Sequence, residues 1–385
     1  MGLLRVGVDA HVLDGRYQGS RTWLLEILRR APALAPDITF VVYSADPDTT
    51  ARLLESAPVE HRVLTPENPV SRNLRTWPRN IRNDDLALLV TQYFCSPRAA
   101  RRQVPVIHDV LFETHPDFFP FRYRWRNKLL VSWSARHARL VMTVSAYSAA
   151  QIANAYGRDP ASIVVVNNGV DAGAFSNAAA FSDADVTRTD PAGAGNPISA
   201  GLSVTGGLPF ALFVGRLEPR KNLRLALAAL RLLPDRNARL VVVGRNDFEA
   251  ADVLAELAAE PRVVHLVDVS DELLRALYRD AAVLLYPSLG EGWGIPVLEA
   301  LAAGTPVIAS NVTAIPEAGG DTCYYFSPSA PDAADRVAEL LGSALAGRLD
   351  FDAEAAAAHV QSLSWEHSAK QFIAGLRVAL DSAKK

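Results

Sequence analysis

The chain has 385 residues, of which 49% are hydrophobic and 21% are charged, and its formal net charge is -3. This length exceeds one compact core and suits two domains, and the balanced charge gives no reason to expect a nucleic-acid partner. Residues 1–175 contain 21 Lys and Arg against 16 Asp and Glu, so this half alone is basic. We expect this basic surface either to face solvent or to meet anionic lipid headgroups or a phosphorylated acceptor.

The amino terminus and the apolar runs indicate where the protein works. Residues 1–10 lack a long apolar segment followed by a cleavage site, so they predict a first strand and not a signal peptide. No apolar run approaches the roughly 20 residues that a membrane-spanning helix needs. We therefore expect a cytoplasmic protein that contacts the inner membrane at most peripherally.

In the first half of the chain, short β-branched runs alternate with amphipathic stretches. The runs predict strands at 4–10, 38–44, 104–109, 140–145 and 162–168. The stretches between them predict helices at 20–31, 121–139 and 146–156. Continuous apolar strands that alternate with helices are typical of a parallel sheet with both faces covered.

The same alternation returns in the second half. Strands are predicted at 210–216, 239–245, 263–268, 282–288 and 305–310, and helices at 222–233, 249–259, 271–280, 296–303 and 331–346. The fold class is therefore α/β, with two Rossmann-like, doubly wound parallel-sheet domains that face each other across a cleft. Residues 176–208 are small, polar and rich in Gly and Pro, which predicts a flexible linker or insert whose role the sequence leaves open. A further amphipathic helix is predicted at 363–380.

The segment 287–310 carries the strongest functional pattern. A buried strand ends at Pro287, a Gly-rich loop with Glu291 follows, and Pro296 suits the first turn of a helix that contains Glu299. Carboxylates on a loop and on the helix behind it suit the binding of two sets of hydroxyls on one ligand. The loop can also present backbone N–H groups to an anion that the helix dipole attracts, and these belong to Gly292, Trp293, Gly294 and Ile295.

A second strand, in the segment 213–222, ends in a loop where Arg216 and Lys221 flank Glu218 and Pro219. Open α/β sheets bind ligands at the carboxyl ends of their strands, which is where both cations lie. Arg binds phosphate through two N–H groups and Lys acts as a point charge, so the pair can neutralise a diphosphate leaving group. We therefore expect neither a metal nor a cofactor. A plain helix start with surface cations is the alternative.

Together these segments resemble the retaining GT-B glycosyltransferases of family 4. Glu291-Gly-Trp-Gly-Ile-Pro-Val-Leu-Glu299 is similar to the E-x7-E signature of that family, and VGRLEPRKN is similar to its second signature. TVSAYSAAQIANAYG and VVVNNGVDAGAF resemble its stretches before the domain crossover, and SWEHSA resembles its helix that returns to the first domain. The resemblance implies a first domain of 1–175 plus 365–385 and a second domain of 209–364. Trp293 stands where the family more often has Phe.

The resemblance also implies a role for each matching residue of the second domain. Arg216 and Lys221 would bind the donor diphosphate. Glu291 would face the hydroxyls of the transferred sugar, and Glu299 would face the ribose. Backbone groups at Gly294 and Ile295 would complete the sugar and phosphate contacts. The base would lie near Leu266 and Val267, with Leu273 as an apolar neighbour.

The first domain offers a weaker set of candidates. Gly19 and Ser20 open the helix after the first strand, in a stretch, GRYQGSRTWLLEIL, that resembles the family's Gly-containing loop beside the phosphates. His108 and Asp109 end a strand, and the family has a His-Asp there with the His near the donor sugar. A lone His is more often structural, but the carboxyl end of a strand favours a functional one.

These implications predict a retaining transfer of a sugar from a nucleotide-diphosphate donor to a saccharide or lipid-linked acceptor in surface polysaccharide or lipopolysaccharide synthesis. GDP-mannose is the first choice of donor, because the layout resembles bacterial mannosyltransferases, and UDP or dTDP sugars stay open. One alternative is an inverting enzyme of the same fold with His11 as base. An NAD-dependent dehydrogenase is a further alternative, but it would need a G-x-G-x-x-G fingerprint that VGVDAHVLDG lacks. A non-catalytic sugar-nucleotide-binding protein is another, and the intact charged pairs argue against it.

Overall fold

The structure is a computed structural model, which describes residues 4–14, 19–55, 57–65, 68–176, 203–246 and 251–384. The chain divides into two compact units. Unit 1 consists of Met1–Gly169 with Leu363–Lys385, and unit 2 consists of Val170–Ser362. Within the described residues, no helix combines the length and apolar character needed to cross a bilayer.

Unit 1 is built on a seven-stranded parallel sheet with the strand order β3-β2-β1-β4-β5-β6-β7. The strands are β1 (Leu4–Asp9), β2 (Ile38–Ser44), β3 (Glu60–Val63), β4 (Leu88–Gln92), β5 (Gln103–Val106), β6 (Val141–Thr143) and β7 (Ile163–Val165). The helices are α1 (Gly19–Leu34), α2 (Pro47–Leu53), α3 (Pro69–Ser71), α4 (Trp77–Asn83), α5 (Leu111–Thr114), α6 (Phe121–His137) and α7 (Ala146–Tyr156). A π-helical turn, Arg72–Thr76, joins α3 to α4. The strand order reverses between β1 and β4, as in doubly wound folds.

The last helix of the chain belongs to unit 1. It packs against α1, where the ring of Phe372 meets Trp23 edge to face at 5.9 Å between centroids. Both rings are fully buried, and the indole N–H of Trp23 donates to the carbonyl oxygen of Val166 at 3.1 Å. The amphipathic helix predicted at 363–380 is therefore confirmed, and its apolar face covers one side of the first sheet.

Unit 2 has a six-stranded parallel sheet with the order β10-β9-β8-β11-β12-β13. Its strands are β8 (Phe210–Val214), β9 (Arg239–Val243), β10 (Val263–Leu266), β11 (Val283–Tyr286), β12 (Val307–Ser310) and β13 (Tyr324–Phe326). The helices are α8 (Ala172–Ser176), α9 (Leu223–Leu232), α10 (Ala251–Ala259), α11 (Asp271–Asp280), α12 (Ile295–Ala302), α13 (Ile315–Gly319), α14 (Ala333–Leu345) and α15 (Ala353–Ser362), and α16 (Trp365–Lys384) returns to unit 1. The order reverses between β8 and β11, so the loops after these strands meet at the ligand-binding edge.

Two doubly wound, Rossmann-like sheets are thus confirmed, and the differences from prediction concern short elements. The prediction lacked β3, β4 and β13. The omission of β4 is serious because this buried strand lies between β1 and β5. The bounds predicted for β2 are confirmed, whereas the other predicted strands extend one to three residues beyond the observed ones at one or both ends.

The structure ends the first part of unit 1 at Gly169, six residues before the predicted boundary at 175. The difference is the short helix α8, which packs against α11 and α12 of unit 2. The ring of Phe175 meets that of Tyr278 edge to face at 5.9 Å. Most of the predicted insert, residues 177–202, lies outside the described residues.

A close backbone contact brings the loops after β8 and β9 together. A Cβ built on Gly244 would lie 1.9 Å from the carbonyl oxygen of Gly215, which is inside any allowed contact distance. The N–H of Gly215 donates to Val243, and the N–H of Gly244 donates to Leu266. Glycine at 244 is therefore required by space, and it positions the loop that continues from Gly215 to Lys221.

We expect Gly244→Ala to lower the free energy of unfolding by about 3 kcal/mol, because the new methyl group can be accommodated only by moving backbone. Urea unfolding followed by circular dichroism measures this change. Gly342→Ala is the matched control. Its Cβ would meet only the flexible end of Leu233 at 3.3 Å, and Ala in a helix interior is favoured over Gly by about 1 kcal/mol. Equal stability of the two variants would contradict this account of Gly244.

Candidate active site

The loop after β8 folds into one 3-10 turn, Pro219–Lys221, before α9 begins. Asn222 ends the turn in the left-handed region, with φ of 53°, and starts the helix. This reversal directs Lys221 inward, where its side chain lies against Gly215, whose built Cβ would be 3.3 Å from the Lys221 Cε atom. The lysine is therefore 8% exposed although it lies on a loop.

The loop after β11 carries Glu291 to the same edge of the sheet. The backbone N–H of Glu291 donates to Thr313 Oγ1 at 2.9 Å, and the N–H of Leu289 donates to the carbonyl oxygen of Arg220 at 2.8 Å. Thr313 has a φ of 55°, which is rare for a β-branched residue and so marks a constrained loop. Neighbouring loops thus fix the backbone of Glu291 from two sides.

The two loops bring opposite charges into direct contact. Lys221 Nζ lies 2.6 Å from Glu291 Oε1, and Arg220 Nη1 lies 2.5 Å from Glu291 Oε2. Arg220 also pairs with Glu218 through its other nitrogen, and Lys221 Nζ donates to the hydroxyl of Tyr286 at 3.3 Å. We call this group, Glu218, Arg220, Lys221, Tyr286 and Glu291, the charge cluster.

Burial and charge act in opposite directions on Glu291. Burial alone would raise the pKa of its carboxyl, but Arg220 and Lys221 outweigh burial and lower that pKa to about 2. Burial lowers the pKa of Lys221 below its ordinary value, and the nearby Glu291 opposes this effect. The Glu291 carboxylate therefore stays ionised well into acid, held by two cations at the carboxyl ends of β8 and β11.

Glu299 lies in the helix that follows the Glu291 loop. Gly294 precedes α12 and Pro296 occupies its first turn, as predicted. The Glu299 carboxylate accepts a hydrogen bond from the Tyr278 hydroxyl on α11 at 2.6 Å, and burial raises its pKa. Glu291 and Glu299 are thus held by different partners: cations hold the first, and a neutral phenol holds the second.

The other predicted positions of unit 2 lie on the same loops and elements. Arg216 is half-buried, two residues after β8, on the loop that leads to Lys221. Leu266 ends β10 and is buried, whereas Val267 directly after it is 40% exposed. Leu273 is buried in α11, whose first turn Ser270 caps. In the 292–295 loop, Gly292 and Trp293 are buried, and Gly294 leads into Ile295, the first residue of α12.

In unit 1, His108 follows β5 and is buried among aromatic rings. Its ring meets Trp23 edge to face at 5.6 Å, and its Nε2 lies 3.3 Å from Gln92 Oε1 at the end of β4. Burial lowers the pKa of His108 to about 4, so its imidazole is neutral at pH 7. Asp109 accepts a hydrogen bond from the N–H of Leu111, the first residue of α5, at 3.0 Å.

Two further sequence candidates lie near the first strand. Gly19 and Ser20 begin α1, while residues 15–18 of the predicted Gly-containing loop lie outside the described residues. His11 follows β1, and its Nδ1 lies 2.7 Å from Oδ1 of the buried Asp9. A carboxylate therefore orients this half-exposed imidazole, a partnership that the sequence analysis did not anticipate.

Sequence reasoning also missed three members or supports of the site in unit 2. Arg220 lies between Arg216 and Lys221, the two cations predicted from the second signature. Its own positive charge could have identified it as a further candidate. Tyr286 and Thr313 gave no signal, because a strand-end tyrosine and a loop threonine are common. Among the described residues, no group of three or more His, Cys, Asp or Glu side chains could hold a metal ion.

Comparison with known proteins places the chain in a family. Residues 17–173 match the model described as Glycosyltransferase Family 4, and residues 209–343 match the model described as Glycosyl transferases group 1. The two matches together take in well over half of the chain. The protein belongs to this family of glycosyltransferases.

Curated relatives from Escherichia coli are similar over parts of their length. The O-antigen chain mannosyltransferase B is 33% identical over 248 residues, 62% of this chain and 61% of that protein. The serotype-specific mannosyltransferase WbdA is 27% identical over 309 residues, 77% of this chain but 36% of that longer protein. The chain therefore spans less than two thirds of the length of these relatives.

Solved structures agree in fold. The structure of Anabaena HepE in complex with UDP and glucose matches with a TM-score of 0.69 at 19% identity, and the match covers 97% of this chain and 100% of that chain. At this identity the likeness shows the fold alone, which is GT-B.

The low pKa of Glu291 makes stability depend on pH. Because the folded pKa, about 2, lies below the ordinary value of 4.5, the ionised carboxylate stabilises the fold above pH 4.5, and this contribution is lost as pH falls toward 2. We expect the difference in unfolding free energy between wild type and Glu291→Gln to shrink by up to about 3 kcal/mol between pH 5 and pH 2.

Urea unfolding at a series of acid pH values measures this difference. Glu339→Gln is the control, because Glu339 is exposed and pairs with the exposed Arg336, so its effect should be small over the same range. A constant difference for Glu291→Gln would show that the carboxylate is not held by the two cations.

Proposed function

We propose that the protein is a retaining glycosyltransferase that moves a sugar from a nucleotide-diphosphate donor to a saccharide or lipid-linked acceptor of surface polysaccharide or lipopolysaccharide synthesis. The observation that carries the proposal is the buried contact between Lys221 and Glu291 where the strand order of the second sheet reverses. Ligands of open α/β sheets bind at this reversal. Membership of the glycosyltransferase family supports the same conclusion.

In the proposed reaction, the protein stabilises charge and positions groups. Arg216 and Lys221 bind the diphosphate and neutralise the charge that develops as it leaves. Arg220 holds the Glu291 carboxylate ionised, so that it can accept hydrogen bonds from the hydroxyls of the transferred sugar. The acceptor hydroxyl attacks the anomeric carbon from the face that the diphosphate leaves, and a departing phosphate oxygen takes its proton.

The remaining residues complete the donor site. Glu299, whose pKa is raised by burial and whose carboxylate accepts a hydrogen bond from Tyr278, would bind the ribose hydroxyls. The backbone at Val267, directly after Leu266, would bind the base, with Leu273 as an apolar neighbour. In unit 1, the neutral His108 would contact the donor sugar, with Gly19 and Ser20 near the phosphates. No metal is needed in this scheme, because the two cations supply the positive charge.

GDP-mannose is the proposed donor, since the E. coli relatives are named mannosyltransferases. UDP-glucose is the main alternative, because the Anabaena HepE structure contains UDP and glucose. UDP-N-acetylglucosamine and dTDP-rhamnose complete the set to be tested. A lipid-linked acceptor would place the enzyme at the cytoplasmic face of the inner membrane, in peripheral contact with it.

A thermal-shift screen against this panel of nucleotide sugars tests the donor. Because a ligand that binds only the folded state stabilises it by mass action, GDP-mannose should raise the melting temperature more than any other member. If UDP-glucose alone stabilises the protein, then UDP-glucose and not GDP-mannose is the donor, and the protein is still a glycosyltransferase. The absence of a shift with every nucleotide sugar would contradict the proposed function.

Substitutions in the charge cluster test the site itself. Lys221→Met and Glu291→Gln should each lower kcat by about 100- to 1000-fold, because each removes a charge that acts on the reacting groups. Each single variant breaks a buried ion pair, which costs about 3–5 kcal/mol of stability. Met and Gln are chosen over alanine because they keep most of the side-chain volume and so leave no large cavity. Activity is measured as sugar transfer under saturating donor.

The double variant Lys221→Met with Glu291→Gln separates catalysis from folding. It leaves neither member of the pair charged, so part of the lost stability should return, while transfer stays at the level of the single variants. The exposed ion pair Glu366–Lys370 offers the matched control, Lys370→Met with Glu366→Gln. Normal turnover in either single variant of the cluster would refute the site assignment.

A second candidate, an inverting enzyme, is favoured by one observation. The imidazole of His11 is oriented by the buried Asp9 at the carboxyl end of β1, an arrangement suited to a general base. Proton NMR of the product distinguishes the two reactions, since retention keeps the anomeric configuration of the donor. The proposed retaining reaction also predicts substantial activity in His11→Ala, whereas an inverting reaction predicts its loss.

A further inference from the structure

Helix α6, Phe121–His137, has the reverse of the usual amphipathic pattern. Its buried positions are polar or small at three of four places, and they are Asn127, Val131, Ser134 and Ala135. Three large apolar side chains in its first half face outward: Phe121 is 74% exposed, Trp125 is 63% exposed and Leu129 is 56% exposed. An ordinary surface helix buries such residues against the core. We therefore expect this exposed face of α6 to bind a partner, because it does not pack against the protein's own core.

The exposed face combines these apolar groups with cations. Phe121, Trp125 and Leu129 recur every four residues, so they form one stripe along the helix. Arg122 and Arg126 are exposed next to this stripe. The guanidinium of Arg126 lies 5.7 Å from the centre of the half-exposed ring of Tyr123.

The charge of the helix is of one sign. Residues 121–137 contain no Asp or Glu, and the only acid seen to pair with the cations of its first half is Glu113, whose carboxylate lies 2.9 Å from Lys128 Nζ within the described residues. Arg122 and Arg126 are therefore available to a negatively charged surface. Aromatic and aliphatic side chains among Arg and Lys are the composition of helices that lie in the interface of anionic bilayers.

We propose that the face of α6 formed by Phe121, Arg122, Trp125, Arg126 and Leu129 docks on the surface of a lipid bilayer that contains anionic headgroups. The apolar stripe enters the interfacial region, and the cations beside it contact the phosphates. Trp is suited to this depth because its ring is amphipathic. The inference deepens the proposed function, because a lipid-linked acceptor lies at such a surface, but the docking itself does not depend on sugar transfer.

A second copy of this chain fits the face less well. A two-fold symmetric contact would place the stripe against itself and bring Arg122 and Arg126 of one copy close to the same cations of the other. Like charges facing each other across an interface oppose association. An anionic bilayer, in contrast, satisfies the apolar groups and the cations at once.

Vesicle flotation of the full-length chain tests the proposal. We expect the protein to bind vesicles of phosphatidylcholine with phosphatidylglycerol, to bind phosphatidylcholine alone far more weakly, and to lose much of the binding in high salt. Arg122→Gln with Arg126→Gln should weaken binding about 30-fold, because each cation near an anionic surface contributes about 1 kcal/mol to membrane binding. Phe121→Ser with Trp125→Ser and Leu129→Ser should weaken it about 100-fold, since three apolar groups no longer leave water.

The control variant alters the same residue types elsewhere. Leu232 is 52% exposed on unit 2, and Arg236 is exposed nearby, so Leu232→Ser with Arg236→Gln should bind vesicles like wild type. Circular dichroism confirms that each variant is folded, and Trp125→Tyr should retain most of the binding because it keeps an aromatic ring.

Three outcomes would overturn the proposal. In the first, wild type does not bind anionic vesicles. In the second, the variants of the α6 face bind these vesicles as well as wild type does. In the third, sedimentation shows that the triple variant has lost self-association but not vesicle binding. If wild type binds the vesicles but binds no nucleotide sugar in the thermal-shift screen, the docking surface stands and the proposed function fails.

Discussion

One buried electrostatic contact joins the two loops that form the candidate active site. Lys221 and Arg220 meet the Glu291 carboxylate at 2.6 and 2.5 Å, in buried surroundings where an unpaired charge would be costly. A buried pair of this kind contributes little net stability, because desolvation offsets the attraction. Its value lies in fixing the position and ionisation of charged groups, which a site for a sugar and its diphosphate requires.

The fold supplies this contact through strand order. Lys221 and Glu291 are 70 positions apart in the chain, and they meet because β8 and β11 are neighbours where the order of the sheet reverses. The contact of Gly244 with Gly215, the left-handed Asn222 and the hydrogen bond from Glu291 to Thr313 then fix the loops. Unusual backbone conformations therefore lie in the loops that bring these charges together.

Sequence reasoning predicted the two sheets, but it did not predict which partners the candidate site residues contact. Alternating apolar runs and amphipathic stretches were enough for two parallel sheets, but β3 was missed because three of its four residues are ionisable. The charge types and the Gly-rich loop indicated Lys221 and Glu291. Nothing in the alternation of elements determines which strands are neighbours, so the direct ion pair, the bridging role of Arg220 and the pairing of Glu299 with Tyr278 could not be predicted.

The most direct measurement of the central claim is calorimetric binding of the nucleoside diphosphate of the preferred donor, compared with that of its nucleoside, to wild type and Lys221→Met. If Lys221 binds the diphosphate, the variant should lose at least about tenfold in affinity for the nucleoside diphosphate, since charged hydrogen bonds contribute about 1.5–3 kcal/mol, and should bind the nucleoside as wild type does. Equal affinity of both proteins for the nucleoside diphosphate would contradict the claim that this lysine and Glu291 form the donor site.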